Sequence, residues 1–233
     1  MSEYLNEITK ALTAIEEEER EALQKATRLV ADTIKNGGLI FTFGCGHSHL
    51  PGLDAFYRAG GLANVSPMLD TDLMLHNGAA KSSRMEKMGG IASEIFRRYT
   101  PSEKDMIFIF SASGKNQVPV EMAEAARKAG IRSVGVSSLA YAGKGGRLHE
   151  CVDIAIDCKV PYGDACLAVG EAKMGGLSTY TACFILNSCL INGAKLALEE
   201  GTVPPVYISG NVEGGRAHNV VLEDLYLGRV KHL

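Results

Sequence analysis

Leu39-Ile-Phe-Thr-Phe-Gly-Cys-Gly-His-Ser-His-Leu-Pro51 decides the fold, because a strand-forming run from Leu39 to Phe43 enters a glycine turn and then a helix start. Thr42 apart, the run is apolar, the composition of a strand covered on both faces. Gly44 and Gly46 let the backbone turn sharply and approach a ligand, and Pro51 suits the first turn of a helix. With Cys45, His47 and the Ser48 hydroxyl, the unpaired amides of that helix start make either an anion site or a tight turn that binds nothing.

Met106-Ile-Phe-Ile-Phe-Ser-Ala-Ser-Gly-Lys-Asn-Gln117 repeats the plan, with an apolar strand, a turn rich in hydroxyls and glycine, and Pro119 opening a helix. Ser111, Ser113 and Asn116 can each hydrogen-bond phosphate or sulfonate oxygens. Two such turns at the ends of parallel strands can face one crevice. Neither carries the Gly-Lys-Ser/Thr of a nucleotide P-loop nor a full G-x-G-x-x-G, which argues against a nucleotide ligand.

The two turns resemble the sugar isomerase (SIS) domain family, whose pattern is G-x-G-x-S after one strand and S-x-S-G-x-T/N after a later one. Here these are Gly44-Cys45-Gly46-His47-Ser48 and Ser111-Ala112-Ser113-Gly114-Lys115-Asn116, with Gln117 following. The resemblance covers roughly residues 38–200. It implies an α/β fold with a doubly wound, mainly parallel five-stranded sheet, helices on both faces, and a sugar-phosphate site. Val169 to Thr179, which includes Glu171 and Ser178, and the later Leu186-Asn187 are also similar to the glutamate-then-Gly-Ser-Thr helix entry of N-acetylmuramic acid 6-phosphate etherases, with Leu177 inserted.

At 233 residues the chain reads as a single domain: an extra N-terminal helical segment over 1–36, a core over 38–200, and a C-terminal strand and tail loop over 201–233. Hydrophobic content of 46% and charged content of 22% are those of a soluble globular protein. A net charge of -3 argues against a nucleic-acid coat, so an anion has to be captured locally. Six cysteines without a C-x-x-C pair point to a reducing cytoplasm, with no metal and no cofactor. The acidic amino terminus does not read as a signal peptide, and the apolar run Ala182–Ala197 is interrupted by Asn187, Ser188, Asn192 and Lys195, against a membrane span.

Apolar residues three and four apart predict helix over 2–36, with Glu16–Glu19 as a solvated face or a helix break. This segment covers either its own sheet or a second subunit. Further helices are expected over Pro51–Ala59, Met85–Tyr99 and Val118–Ala129, and strands over Ala63–Ser66, Ser133–Ser137, Cys151–Ile156 and Val206–Ser209. Pro67–Arg84, polar and aperiodic, reads as a binding loop. The long apolar helix after Glu171 is expected between the sheet and a partner subunit.

Glu86, at the join of that loop and a helix, is either a buried carboxylate suited to moving a carbon-bound proton or an exposed first-turn glutamate. The resemblance implies a catalytic glutamate in this region. Glu171 reads as a second acid or base, or as a salt-bridged group. Arg216, His218 and Asn219 after Gly214-Gly215 read as a lid over a polyhydroxylated anion or as a plain loop, and some family members complete the site with a neighbouring chain's histidine. His47 is read as a donor to the sugar or its anion; the other reading joins His47 and His49 to His76 or His218 around a transition metal. The leading function is an aldose–ketose isomerase acting on a phosphorylated or otherwise anionic sugar, in a homodimer or homotetramer. The alternatives are an etherase-like lyase and a phosphosugar sensor without turnover.

Overall fold

The computed structural model describes residues 2–233. Two successive helices, α1 (Glu3–Glu18) and α2 (Arg20–Lys35), precede the sheet. The acidic run is the break between them: Lys159 Nζ binds Glu18 (3.0 Å), Glu19 (2.6 Å) and Asp157 (3.2 Å), pinning the helix junction to the sheet. The chain continues through β1 (Ile40–Gly44), α3 (Leu50–Ala55), β2 (Val65–Pro67), α4 (Ala79–Met85), α5 (Ile91–Tyr99), β3 (Met106–Phe110), α6 (Gln117–Lys128), β4 (Arg132–Ser137), α7 (Leu148–Cys151) and β5 (Ile154–Asp157). It ends with β6 (Ala165–Val169), β7 (Ala172–Gly176), α8 (Ser178–Glu199) and α9 (Gly215–Tyr226).

Strands β1 to β5 form a five-stranded sheet in the order β2-β1-β3-β4-β5, every pair parallel. Its side chains alternate between two buried clusters, as the two-residue strand period requires. Ile40, Met106, Phe108, Val134 and Ile156 pack under α1, α2 and α8, while Phe41, Phe43, Ile107 and Ile109 pack under α5, α6 and α9. The doubly wound architecture with helices on both faces is therefore the one expected.

Several boundaries differ from the sequence reading. The helix after the first turn stops at Ala55, followed by Tyr57 with a left-handed φ of 45°. Ala63–Ser66 is shifted to Val65–Pro67. The polar segment 67–84 contains α4, and the helix expected over Met85–Tyr99 begins only at Ile91, because Gly90 takes a left-handed φ of 88° ahead of it. Within Cys151–Ile156, Cys151 closes α7 and the strand starts at Ile154. β6 and β7 form an antiparallel hairpin that no periodicity announced. Val206–Ser209 contributes only an antiparallel bridge between Val206 and Leu62, and the expected tail loop after Gly214 is the helix α9.

α8 is long and apolar enough by composition to cross a membrane. In the fold it packs on α1, α2 and α3 instead, with Ile185, Leu186, Cys189 and Leu190 in the core. Gly193 is what lets α2 come so near: a Cβ there would lie 2.4 Å from Val30 Cγ1 and 3.0 Å from the Thr27 carbonyl. A methyl group at this crossing must push the helices apart, an overpacking of about 1–3 kcal/mol that exceeds the ~1 kcal/mol helix-propensity gain of alanine over glycine. Gly193→Ala is expected to lower stability in urea unfolding, and adding Val30→Ala to recover part of the loss; a single variant more stable than the parent would contradict the close approach.

Candidate functional site

The register of β1 on β3 pairs Gly44 with Phe110, so the turns that begin at Cys45 and Ser111 leave the sheet side by side. They do so at the carboxyl ends of the strands, where the order β2-β1-β3 reverses the winding direction and crevices form in sheets of this kind. Ser48 and Ser111 line one small pocket there, together with His47, Ser178 and Thr179. Pro51, Phe110, Ala112, Val136 and Ala182 make its walls.

Glycine is required at both turns. At Gly44 a Cβ would stand 2.1 Å from the Ser48 carbonyl oxygen, and Gly46 and Gly114 hold left-handed φ values of 56° and 59°. In the first turn Ser48 N–H donates to the Cys45 carbonyl (3.0 Å), and His49, buried, binds the Gly46 carbonyl through Nδ1. Burial lowers the His49 pKa, so its imidazole is neutral at pH 7 and braces the turn. In the second, Ser111 Oγ accepts from Gly114 N–H (3.2 Å) and Ser113 Oγ from Lys115 N–H (3.3 Å). The Gly114 carbonyl accepts from Arg147 and Leu148 (3.0 and 3.2 Å), tying this turn to the start of α7.

Glu86 caps the carboxyl end of α4 and is not in a first helical turn. Its carbonyl accepts the Val118 N–H (3.1 Å), which joins the end of α4 to the start of α6. Its carboxyl group is half-buried, and burial pushes its pKa above the usual glutamate range against the opposing effect of the Asn116 side chain. The Cys45 thiol is also pushed up, by burial and then by the Glu86 and Asp70 charges, which places Glu86 close to the first turn as well as to the second. A half-buried carboxyl group is thus in electrostatic reach of Cys45 in the first turn and of Asn116 beside the second, while it does not line the pocket of Ser48 and Ser111.

Other sequence candidates lie elsewhere. The Gln117 amide is engaged by Glu121 (2.9 Å), which also accepts the Gly90 N–H (2.8 Å). Glu171 is exposed in the turn joining β6 and β7 and does not line the pocket. His218 is exposed on α9, its Nε2 at 2.9 Å from the Val206 carbonyl. Val206 bridges Leu62, ahead of β2, so within one chain His218 sits by the amino end of the sheet, opposite the serine turns. His49 and His76 stack edge to face with centroids 6.4 Å apart, and among the described residues no group of three or more His, Cys, Asp or Glu is placed to hold a metal.

Two site residues escaped the sequence reading. Thr179 lines the pocket, and Asp164 accepts hydrogen bonds from Leu177 N (3.0 Å), Ser178 N (2.8 Å) and Ser178 Oγ (2.7 Å). An acidic cap normally sits next to its helix in sequence, where a pattern can find it; here the β6–β7 hairpin intervenes.

The SIS domain family model matches residues 3–138. UPF0309 protein Teth39_1980 of Thermoanaerobacter pseudethanolicus is 38% identical over 244 residues, covering 99% of each chain. Among solved structures, phosphoheptose isomerase GmhA from Neisseria gonorrhoeae superposes with a TM-score of 0.53 at 16% identity, over 81% of this chain and 94% of its own. The Vibrio vulnificus NanR protein complexed with ManNAc-6P superposes with a TM-score of 0.51 at 14% identity, over 99% of this chain and 68% of its own. At such identities these likenesses concern the fold.

The raised pKa of Glu86 has a defined sign for stability. The folded state holds the Glu86 proton more tightly than the unfolded chain, so stability present below the ordinary glutamate pKa is lost as pH rises through the raised value. Glu86→Gln is thus expected to melt at a higher temperature than the parent at pH 7, the two converging below about pH 4. A variant less stable at pH 7 would show the carboxylate to be structurally required.

Proposed function

Because the chain belongs to the SIS domain family and, within it, to the UPF0309 proteins, we propose that it is an aldose–ketose isomerase acting on a phosphorylated or otherwise anionic sugar. The observation that carries this reading is the convergence of Ser48 and Ser111 on one pocket, and the half-buried Glu86 carboxyl, in electrostatic reach of Cys45 and Asn116, supports it. Hydroxyls and turn amides hold the anion, with Ser113 and Asn116 extending the second turn. The Glu86 carboxylate takes the proton from the carbon beside the carbonyl, and the released electron pair makes an enediolate. Once the hydroxyl proton has passed to the former carbonyl oxygen, the same carboxyl group returns its proton to the former carbonyl carbon, and the adjacent carbon becomes the new carbonyl. A pKa raised above the usual glutamate range suits this exchange, and His47, exposed at the pocket, is the donor assigned to the anionic intermediate.

The fold likeness to a phosphoheptose isomerase supports an isomerase, and the likeness to a protein complexed with ManNAc-6P supports a sugar-phosphate ligand with or without turnover. An etherase-like lyase needs a second carboxylate at the reacting carbons, and the exposed position of Glu171 makes that reading the weaker. Exposed Leu5, Tyr180, Ile191 and Leu198 on α1 and α8 support a homodimer or homotetramer, in which His218 enters a site only from a neighbouring copy. Six free cysteines fit the cytoplasm as its compartment.

The test is proton NMR in heavy water with a panel of aldose and ketose phosphates and sulfosugars. Interconversion with solvent deuterium appearing beside the carbonyl is expected. Glu86→Gln should slow it by about 10²–10⁴-fold, and the acid limb of kcat/KM should lie above the ordinary glutamate range. Exchange undiminished in the variant removes Glu86 from the mechanism; binding without exchange in the parent favours a sensor.

A further inference from the structure

We propose that Asp164 sets the hydrogen-bonding polarity of Ser178, so that the pocket selects anions carrying a hydroxyl group beside the charged one. This rests on the anion-site reading above. Ser111 and Ser178 line the same pocket but are wired oppositely. The Ser111 hydroxyl accepts from Gly114 N–H and keeps its own proton for a ligand oxygen. The Ser178 hydroxyl faces a carboxylate, Asp164 Oδ2 at 2.7 Å. An ionised carboxylate only accepts, so Ser178 must donate to it and turns only lone pairs toward the pocket. Beside donors suited to an anion stands an enforced acceptor, and the matching ligand group is an O–H. Open-chain sugar phosphates carry one on the carbon next to the phosphorylated carbon; simple alkyl phosphates do not.

The backbone is shaped for this placement. Asp164 holds a left-handed φ of 67°, an unfavourable conformation for a non-glycine residue, in a tight turn closed by its N–H on the Pro161 carbonyl (2.9 Å). The two carboxylate oxygens divide the work. Oδ1 accepts the Leu177 and Ser178 amides at the start of α8, and Oδ2 is left for the Ser178 hydroxyl. Asp164→Asn therefore separates capping from polarity: its Oδ1 still accepts both amides, while its Nδ2 donates to Ser178 Oγ and frees the serine proton to face the pocket.

Titration calorimetry with glycerol 3-phosphate and with 3-hydroxypropyl phosphate, which lacks only the hydroxyl at the middle carbon, reads the effect directly. The parent is expected to prefer glycerol 3-phosphate by about tenfold, one buried hydrogen bond's worth. In Asp164→Asn and in Ser178→Ala the preference should shrink to within about twofold. A purely structural role for Asp164 would weaken both ligands together and leave the ratio unchanged, which would overturn the inference, as would a parent that binds both equally. A parent that binds neither overturns the anion-site reading itself, and this proposal with it. Should Asp164→Asn fail to fold, Ser178→Ala alone decides, because its cap is intact.

Discussion

The pairing of Gly44 with Phe110 is the constraint from which the site follows. Parallel strands bring their carboxyl ends to the same edge, and β1 and β3 are neighbours although more than sixty residues, β2 among them, separate them in the chain. Hydrogen bonding along this ladder sets the strand ends level, so two turns built independently open on a single pocket. A slip of one residue would turn every side chain of a strand to the opposite face. Both faces are buried here, by distinct sets of residues, so the core that holds the sheet also holds the register of the site.

Around that pocket the chain arranges groups of contrasting polarity. The turns offer N–H and O–H donors at positions that only glycine-rich backbone reaches. Glu86, held half-buried at the end of α4, is disfavoured as a charge, which works against stability at neutral pH while suiting proton transfer. Nearby His49 resolves the same conflict differently: burial keeps it neutral, and its ring holds the first turn together.

α8 joins the two halves of this description. Its amino end supplies Ser178 and Thr179 to the pocket and is capped by Asp164 from across the hairpin. Further along, Gly193 admits α2 at close range, so the N-terminal helices are fastened to the element that also borders the site. Exposed Tyr180, Ile191 and Leu198 follow the outer side of the same helix.

The sequence alone determined the central sheet strands, the glycine turns and most helices of the core, because continuous apolar runs, helical periods and turn glycines are local properties of the chain. It also brought the Ser48 and Ser111 turns together by their resemblance to a known pattern. Tertiary structure decided the rest. Glu86 ends one helix instead of beginning another, since the identity of its neighbours depends on where α4 docks against α6. The β6–β7 hairpin, with none of its strand residues buried, lacks an apolar period to read. α9 replaces a loop because Leu222, Tyr226 and the following Val230 find a distant core to bury against, and it carries His218 to the far end of the sheet. Asp164 and Ser178 meet across a folded hairpin, and a contact closed by chain reversal leaves no local trace in the order of residues.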